Sequence, residues 1–128
     1  MEYAKAQTLD GSDKLKLLLV KQLRDYGAHH PTVLFSLGCL ARLRQQQQQY
    51  EKAECIYRKA LNLSEQADNV PIYILRMLLA GYTGLLKETG RYRAARWMQR
   101  EARVFLVSLS HERSAQLRSS DDAGVQLN

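Results

Sequence analysis

An all-α fold is what the sequence predicts, and three observations carry that reading. Apolar residues recur three and four positions apart in five separate segments, the period that turns one side of a helix toward a core. Gly27, Pro31, Pro71 and Gly90 fall between those segments, where helices end and begin. Nowhere does apolar–polar alternation of the kind a half-buried strand needs take over. The 128 residues suggest one domain, and 45% hydrophobic with 25% charged residues is ordinary for a globular chain.

Residues 1–11 form an N-terminal segment with little pattern, closed by a turn at Asp10-Gly11. Ser12 is a suitable N-cap for the first helix. Leu15, Leu18, Leu19 and Leu23 place that helix within residues 12–27, where it serves as a capping helix. Gly27 can end it in a left-handed conformation. His29, His30 and Pro31 make the connection, and Pro31 suits the first turn of the next helix. Val33, Leu34, Leu37, Leu40, Ala41 and Leu43 define the second helix, which runs into five glutamines, Gln45 to Gln49. The third spans about Tyr50 to Gln66 and is broken by Asp68-Asn69. Pro71 opens a fourth that continues to about Lys87, and Gly90 marks a turn before the fifth, Tyr92 to Ser110. Residues 111–128 are mostly small and polar and are expected to form a flexible tail.

The chain repeats itself at an offset of 42 residues. Tyr50 falls on Tyr92, Ala53 on Ala95, Ala60 on Ala102, Leu43 on Leu85 and Leu37 on Leu79. Residues 31–110 therefore divide into two antiparallel hairpins, about 31–68 and 70–110. Ala53 and Ala95 let the two helices of a hairpin approach. Ala60 and Ala102 lie on the same face two turns on. Tyr50 and Tyr92 open each second helix and are placed to wedge against the first.

These residues resemble the tetratricopeptide repeat. Leu40-Ala41, Tyr50, Ala53, Tyr57 and Ala60 match its pattern in the first hairpin, and Gly90, Tyr92, Ala95 and Ala102 in the second. The 42-residue period is similar to the longer, kinesin-light-chain-like variety. The resemblance covers about residues 33–107. The chain departs from the pattern at Gln48, where the turn glycine belongs, at Tyr82-Thr83 for the large–small pair, and at Gln99 for an aromatic. The helix at 12–27 is either the second helix of a degenerate earlier repeat or a simple cap.

The resemblance implies a short right-handed superhelix of stacked hairpins whose first helices line a concave, protein-binding face. Carried over by position, that face displays Phe35, Arg42, Gln45 and Gln46 from the first hairpin, and Met77 and Lys87 from the second, over small residues Gly38, Ala80 and Gly84. One aromatic anchor among cationic and amide donors suits a peptide that is apolar in its middle and acidic at an end. The implied role is a protein–protein interaction module: an adaptor, a chaperone-like holder or an assembly subunit. The bland reading of the same residues is a solvated helix face.

On the fifth helix, Trp97 and Val104 lie seven apart on one face, beside the stripe Tyr92, Ala95, Met98, Ala102, Phe105 and Leu109. A second apolar face invites a partner chain, as in a homodimer, or the C-terminal tail folded back over Trp97. Arg93, Arg96, Arg100 and Arg103 form a basic stripe roughly opposite. Arginine forks suit carboxylates and phosphates, so the competing role is a regulatory or nucleic-acid-associated protein. The bland reading is a solvated outer face. A nucleic-acid partner is not expected, because no recognition module or interleaved aromatic stripe accompanies the arginines.

The net charge of +6 speaks to solubility and association, not to fold. Cys39 and Cys55 sit in helical apolar patterns and are expected to be reduced and buried. No signal peptide precedes the first helix and no apolar run is long enough to span a bilayer, so a cytoplasmic, non-membrane protein is expected. Phosphate-binding glycine loops, zinc spacings and nucleophile elbows are all missing from the sequence, so neither catalysis, a cofactor nor a metal is expected. His29-His30 is the only histidine pair, and neighbouring side chains diverge on a regular backbone.

Overall fold

The computed structural model describes residues 11–67 and 69–126. They form five helices: α1 (Gly11–Tyr26), α2 (Pro31–Gln46), α3 (Tyr50–Gln66), α4 (Ile72–Glu88) and α5 (Tyr92–Gln126). There are no strands among the described residues. The segment expected over 1–11 lies outside them except for Gly11, as does Asp68 of the Asp68-Asn69 break.

Local chemistry sets most boundaries. Gly27 has φ +89° and its amide donates to Leu23 O, closing α1. His30 caps α2, its Nδ1 accepting from the Thr32 amide at 3.1 Å, and its ring stacks on Tyr26. Pro71, with ψ 140°, precedes α4 as its N-cap. Asn69, at φ +57°, supplies the break before it. Ser12, expected as the N-cap, has helical backbone in α1, which is described from Gly11 onward.

The 42-residue offset reappears in the backbone of the two turns. In the first, Gln47 N donates to Leu43 O, Gln48 N to Gln45 O, and Gln49 N to Arg44 O. In the second, Thr89 N donates to Leu85 O, Gly90 N to Lys87 O, and Arg91 N to Leu86 O. Every donor and acceptor in one turn is 42 positions from its counterpart. The residue in the left-handed conformation is Gln48 (φ +62°) in one turn and Gly90 (φ +81°) in the other. A side chain there costs about 1–2 kcal/mol, partly offset by the flexibility glycine adds to the unfolded chain. Gln48→Gly is therefore expected to stabilise the fold by about 0.5–1 kcal/mol in urea unfolding, and Gly90→Gln to destabilise it by a similar amount.

The helices stack in order, and α4 packs against both members of the α2–α3 hairpin. The core is continuous through Val33, Leu34, Ala53, Ile74, Leu78 and Leu85, each at most 1% exposed. Ala53 and Ala95 are both 0% exposed, so each hairpin closes on a small residue. Gly81 of α4 faces the Tyr57 phenol of α3 so closely that an added Cβ would lie 2.5 Å from its hydroxyl oxygen and 2.7–2.8 Å from ring carbons. Tyr57 meets Tyr82 edge to face, with centroids 6.1 Å apart.

The two opening tyrosines sit in unlike surroundings. Tyr50 is half-buried and its hydroxyl donates to Glu88 at 3.1 Å, whereas Tyr92 is 61% exposed. The partner of Tyr50 belongs to the following hairpin, and no hairpin follows α5 among the described residues. Cys39 is half-buried, but Cys55 is exposed, because it lies on α3 away from the buried row Ala53, Tyr57 and Ala60.

Beyond His111, where a flexible tail is expected from the sequence, α5 continues as helix to Gln126. The residues from Glu112 to Arg118 are mostly good helix formers, and Arg113 donates to the Val70 carbonyl before α4. The helix therefore does not turn back over Trp97. No described helix is long and apolar enough to cross a membrane.

Candidate partner-binding groove

Phe35, Arg42, Gln45, Gln46 and Met77, drawn from α2 and α4, line one groove of about 610 Å³. Its floor is small: Gly38 lets α4 lie close to α2, Gly81 lets α4 lie close to the buried Tyr57 ring of α3, and Gly84 leaves open space above them. Phe35 is 45% exposed, although its neighbours Leu34 and Ser36 are buried. Arg42 is exposed and forms no salt bridge among the described residues. Its charge acts on two neutral groups in the groove. Burial pushes the Cys39 thiol up from its ordinary value, and Arg42 partly opposes this. The Tyr57 phenol is raised in the same way, by burial against Arg42.

The groove ends at Glu88. Its carboxylate accepts hydrogen bonds from Gln45 Nε2 at 2.5 Å and from the Tyr50 hydroxyl at 3.1 Å. The Tyr50 phenol is raised chiefly by that bond. An apolar end at Phe35 and Met77 is thus followed by the cationic Arg42 and then by an acidic stop. Glu88 is the residue that sequence reasoning missed. Its signal was present, since Glu88 stands 42 positions after Gln46. Lys87, expected on this face, lines a different groove between α4 and α5.

The groove is braced from behind by one carboxylate. Glu54 on α3 accepts a bidentate pair from Arg91, at 3.0 and 2.7 Å, and the Tyr82 hydroxyl at 3.0 Å. Arg58 pairs with Glu54 at 2.9 Å and donates to the Tyr82 oxygen at 3.1 Å. One cluster thereby joins α3, α4 and the turn before α5. The Arg91 fork is the largest influence holding the Glu54 carboxyl below its usual range, with Tyr82 and Arg58 assisting and burial opposing. A lowered folded-state value contributes stability above the unfolded carboxylate range, and that stability is lost as pH falls through the folded value. Glu54→Gln is expected to lower stability by about 1–2 kcal/mol at pH 7. In chemical denaturation the variant and wild-type curves should converge as pH falls below the unfolded carboxylate value of about 4.3 and through the lower folded one.

The remaining candidates are spread over α5. Arg93, Arg96, Arg100 and Arg103 are all exposed, and Arg103 lines the α4–α5 groove. Trp97 and Val104 are 62% and 61% exposed but do not share a groove. Trp97 lies with Met98, Phe105, Leu61 and Val70 in an apolar cleft between α3 and α5, which Val104 does not line. The face proposed for Trp97 is therefore continuous with the core-facing stripe, because α5 reaches α3 only across that cleft. His29 bonds Gln66 while His30 caps α2, so the two imidazoles diverge. No group of three potential metal ligands occurs among the described residues.

Comparison of the chain with protein-family models, with curated proteins and with solved structures finds no match.

Proposed function

We propose that the chain is a protein–protein interaction module of tetratricopeptide-like build, an adaptor, chaperone-like holder or assembly subunit. Its α2–α4 groove takes a peptide or helix of a partner protein. The observation that carries this reading is the convergence of an exposed aromatic, Phe35, and an arginine with no carboxylate partner among the described residues, Arg42, above a glycine floor. Exposed aromatic and arginine side chains are the usual energetic anchors of protein interfaces. The Arg42 fork suits a carboxylate, and Phe35 with Met77 suits an apolar side chain next to it.

Selection from a displayed peptide library tests this. Enriched peptides should pair an apolar anchor with an acidic residue. Phe35→Ala and Arg42→Glu should each weaken them about tenfold or more. No enrichment, or binding indifferent to both changes, would sink the reading.

The competing role, on a nucleic-acid backbone, is favoured by the exposure of all four arginines of the α5 stripe. It requires affinity that falls steeply with salt and with Arg96→Glu and Arg100→Glu. Trp97 and Val104 are the proposed contacts of a homodimer, which a solution mass twice that of the chain would reveal.

A further inference from the structure

The surface of the first hairpin that α4 occupies has a counterpart on the second hairpin that nothing described occupies. Beneath α4, the first hairpin presents Leu37, Gly38 and Ala41 from α2, and Tyr57 and Ala60 from α3, all buried. Gly38 abuts Met77 and Leu78, and Tyr57 abuts Gly81. Moved on by 42 positions, the floor of that seat becomes Leu79, Ala80, Thr83, Gln99 and Ala102, which is small or apolar except where Gln99 replaces the ring of Tyr57. These five line a groove of about 740 Å³ between α4 and α5.

Its walls have changed in kind. The counterpart of Leu34 is Arg76, that of Leu61 is Arg103, and that of Gln45 is Lys87. All three cations line the open groove, and no acidic residue does. None of the three forms a salt bridge among the described residues. The floor keeps the form that receives a helix, while the walls have exchanged apolar and neutral residues for positive charge.

We propose that the α4–α5 groove is a second docking site, built to receive an amphipathic helix with acidic flanks from a partner protein. The apolar stripe of that helix meets Leu79, Ala102 and Leu106, and its carboxylates meet Arg76, Lys87 and Arg103. A second copy of this chain does not supply the occupant. None of the five helices carries more acidic than basic residues. The most exposed apolar candidate, α1 with Leu17 and Val20, is flanked by Lys14, Lys16, Lys21 and Arg24. Like charges would face each other there. Ala80 and Gly84 line this groove and the α2–α4 groove alike, so the two sites share a ridge and differ in their walls.

The probe is a set of labelled 18-residue peptides read by fluorescence anisotropy. One has a leucine–alanine stripe flanked by glutamates, one has the same stripe flanked by lysines, and one is the acidic peptide broken by proline. The acidic helix should bind at least tenfold more tightly than either control. The pair Arg76→Glu with Arg103→Glu should reverse the preference toward the lysine peptide, and Lys87→Glu should move it the same way. All three side chains are exposed, so circular dichroism should be unchanged. Phe35→Ala should leave this binding intact, separating it from the α2–α4 groove. Equal binding of the three peptides would overturn the proposal. So would loss of binding on Phe35→Ala, or equal competition by an oligonucleotide of matched charge.

Discussion

Leu78→Ala should destabilise the protein by about 2–5 kcal/mol, a large part of the 5–15 kcal/mol that holds a domain of this kind together. Leu78 is 0% exposed and lies where α4 crosses α2, its Cδ2 near the Gly38 backbone. Truncation loses the transfer energy of the removed carbons and leaves a cavity against a helix that has no side chain to fill it. The α2–α4 contact is what joins one hairpin to the next along that side. The loss should therefore appear in one cooperative urea transition of the whole chain, with the midpoint lowered and the slope unchanged. Two separated transitions would show instead that the hairpins unfold independently.

Gly81→Val should cost about 1–3 kcal/mol or more, even though valine is the better helix former. The new Cβ would fall within 3 Å of the Tyr57 ring, which is 2% exposed and held edge-on by Tyr82. A buried ring so held has no free rotamer to retreat into. Either α4 moves away from α3 or Tyr57 leaves its place under the α2–α4 groove. Tyr57→Leu in the same chain should recover part of the loss, giving a coupling energy of about 1 kcal/mol or more in a double-mutant cycle. Full additivity would show that the two residues do not share the space.

Much of this scaffold was legible in the sequence because its boundaries are set locally. Gly27, Gly90 and Pro71 act through their own backbone preferences, and α3 runs over the Tyr50–Gln66 span that its periodicity marks. The 42-residue offset was legible for a similar reason, since a repeated turn needs the same hydrogen bonds at the same spacing. The surroundings of Tyr92 were not legible, because they depend on whether another helix follows α5. Periodicity within one helix carries no such information. The α5 extension was missed because the residues after His111 are polar, and polarity alone does not separate an exposed helix from a coil. The groove was legible by residue type, since Phe35, Arg42, Gln45, Gln46 and Met77 meet in it. Its acidic end was marked only by the offset of Glu88 from Gln46, because Glu88 and Gln45 meet only when α4 is laid across α2. Lys87 went to the other groove for the same reason: one step along a helix turns a side chain by about 100°.

The run Gln45 to Gln49 carries a consequence for how this chain can vary. Its five members are chemically identical but occupy different stations. Gln45 and Gln46 end α2, Gln47 caps it, Gln48 takes the left-handed conformation and Gln49 precedes α3. The side-chain oxygens of Gln47 and Gln49 both hold the buried Arg44. Tracts of one repeated residue readily gain or lose a member when genes are copied. A sixth glutamine here would either swing α3 about its axis by roughly 100° or open the turn and strand the Arg44 guanidinium. This tract is therefore constrained in number, however monotonous its spelling.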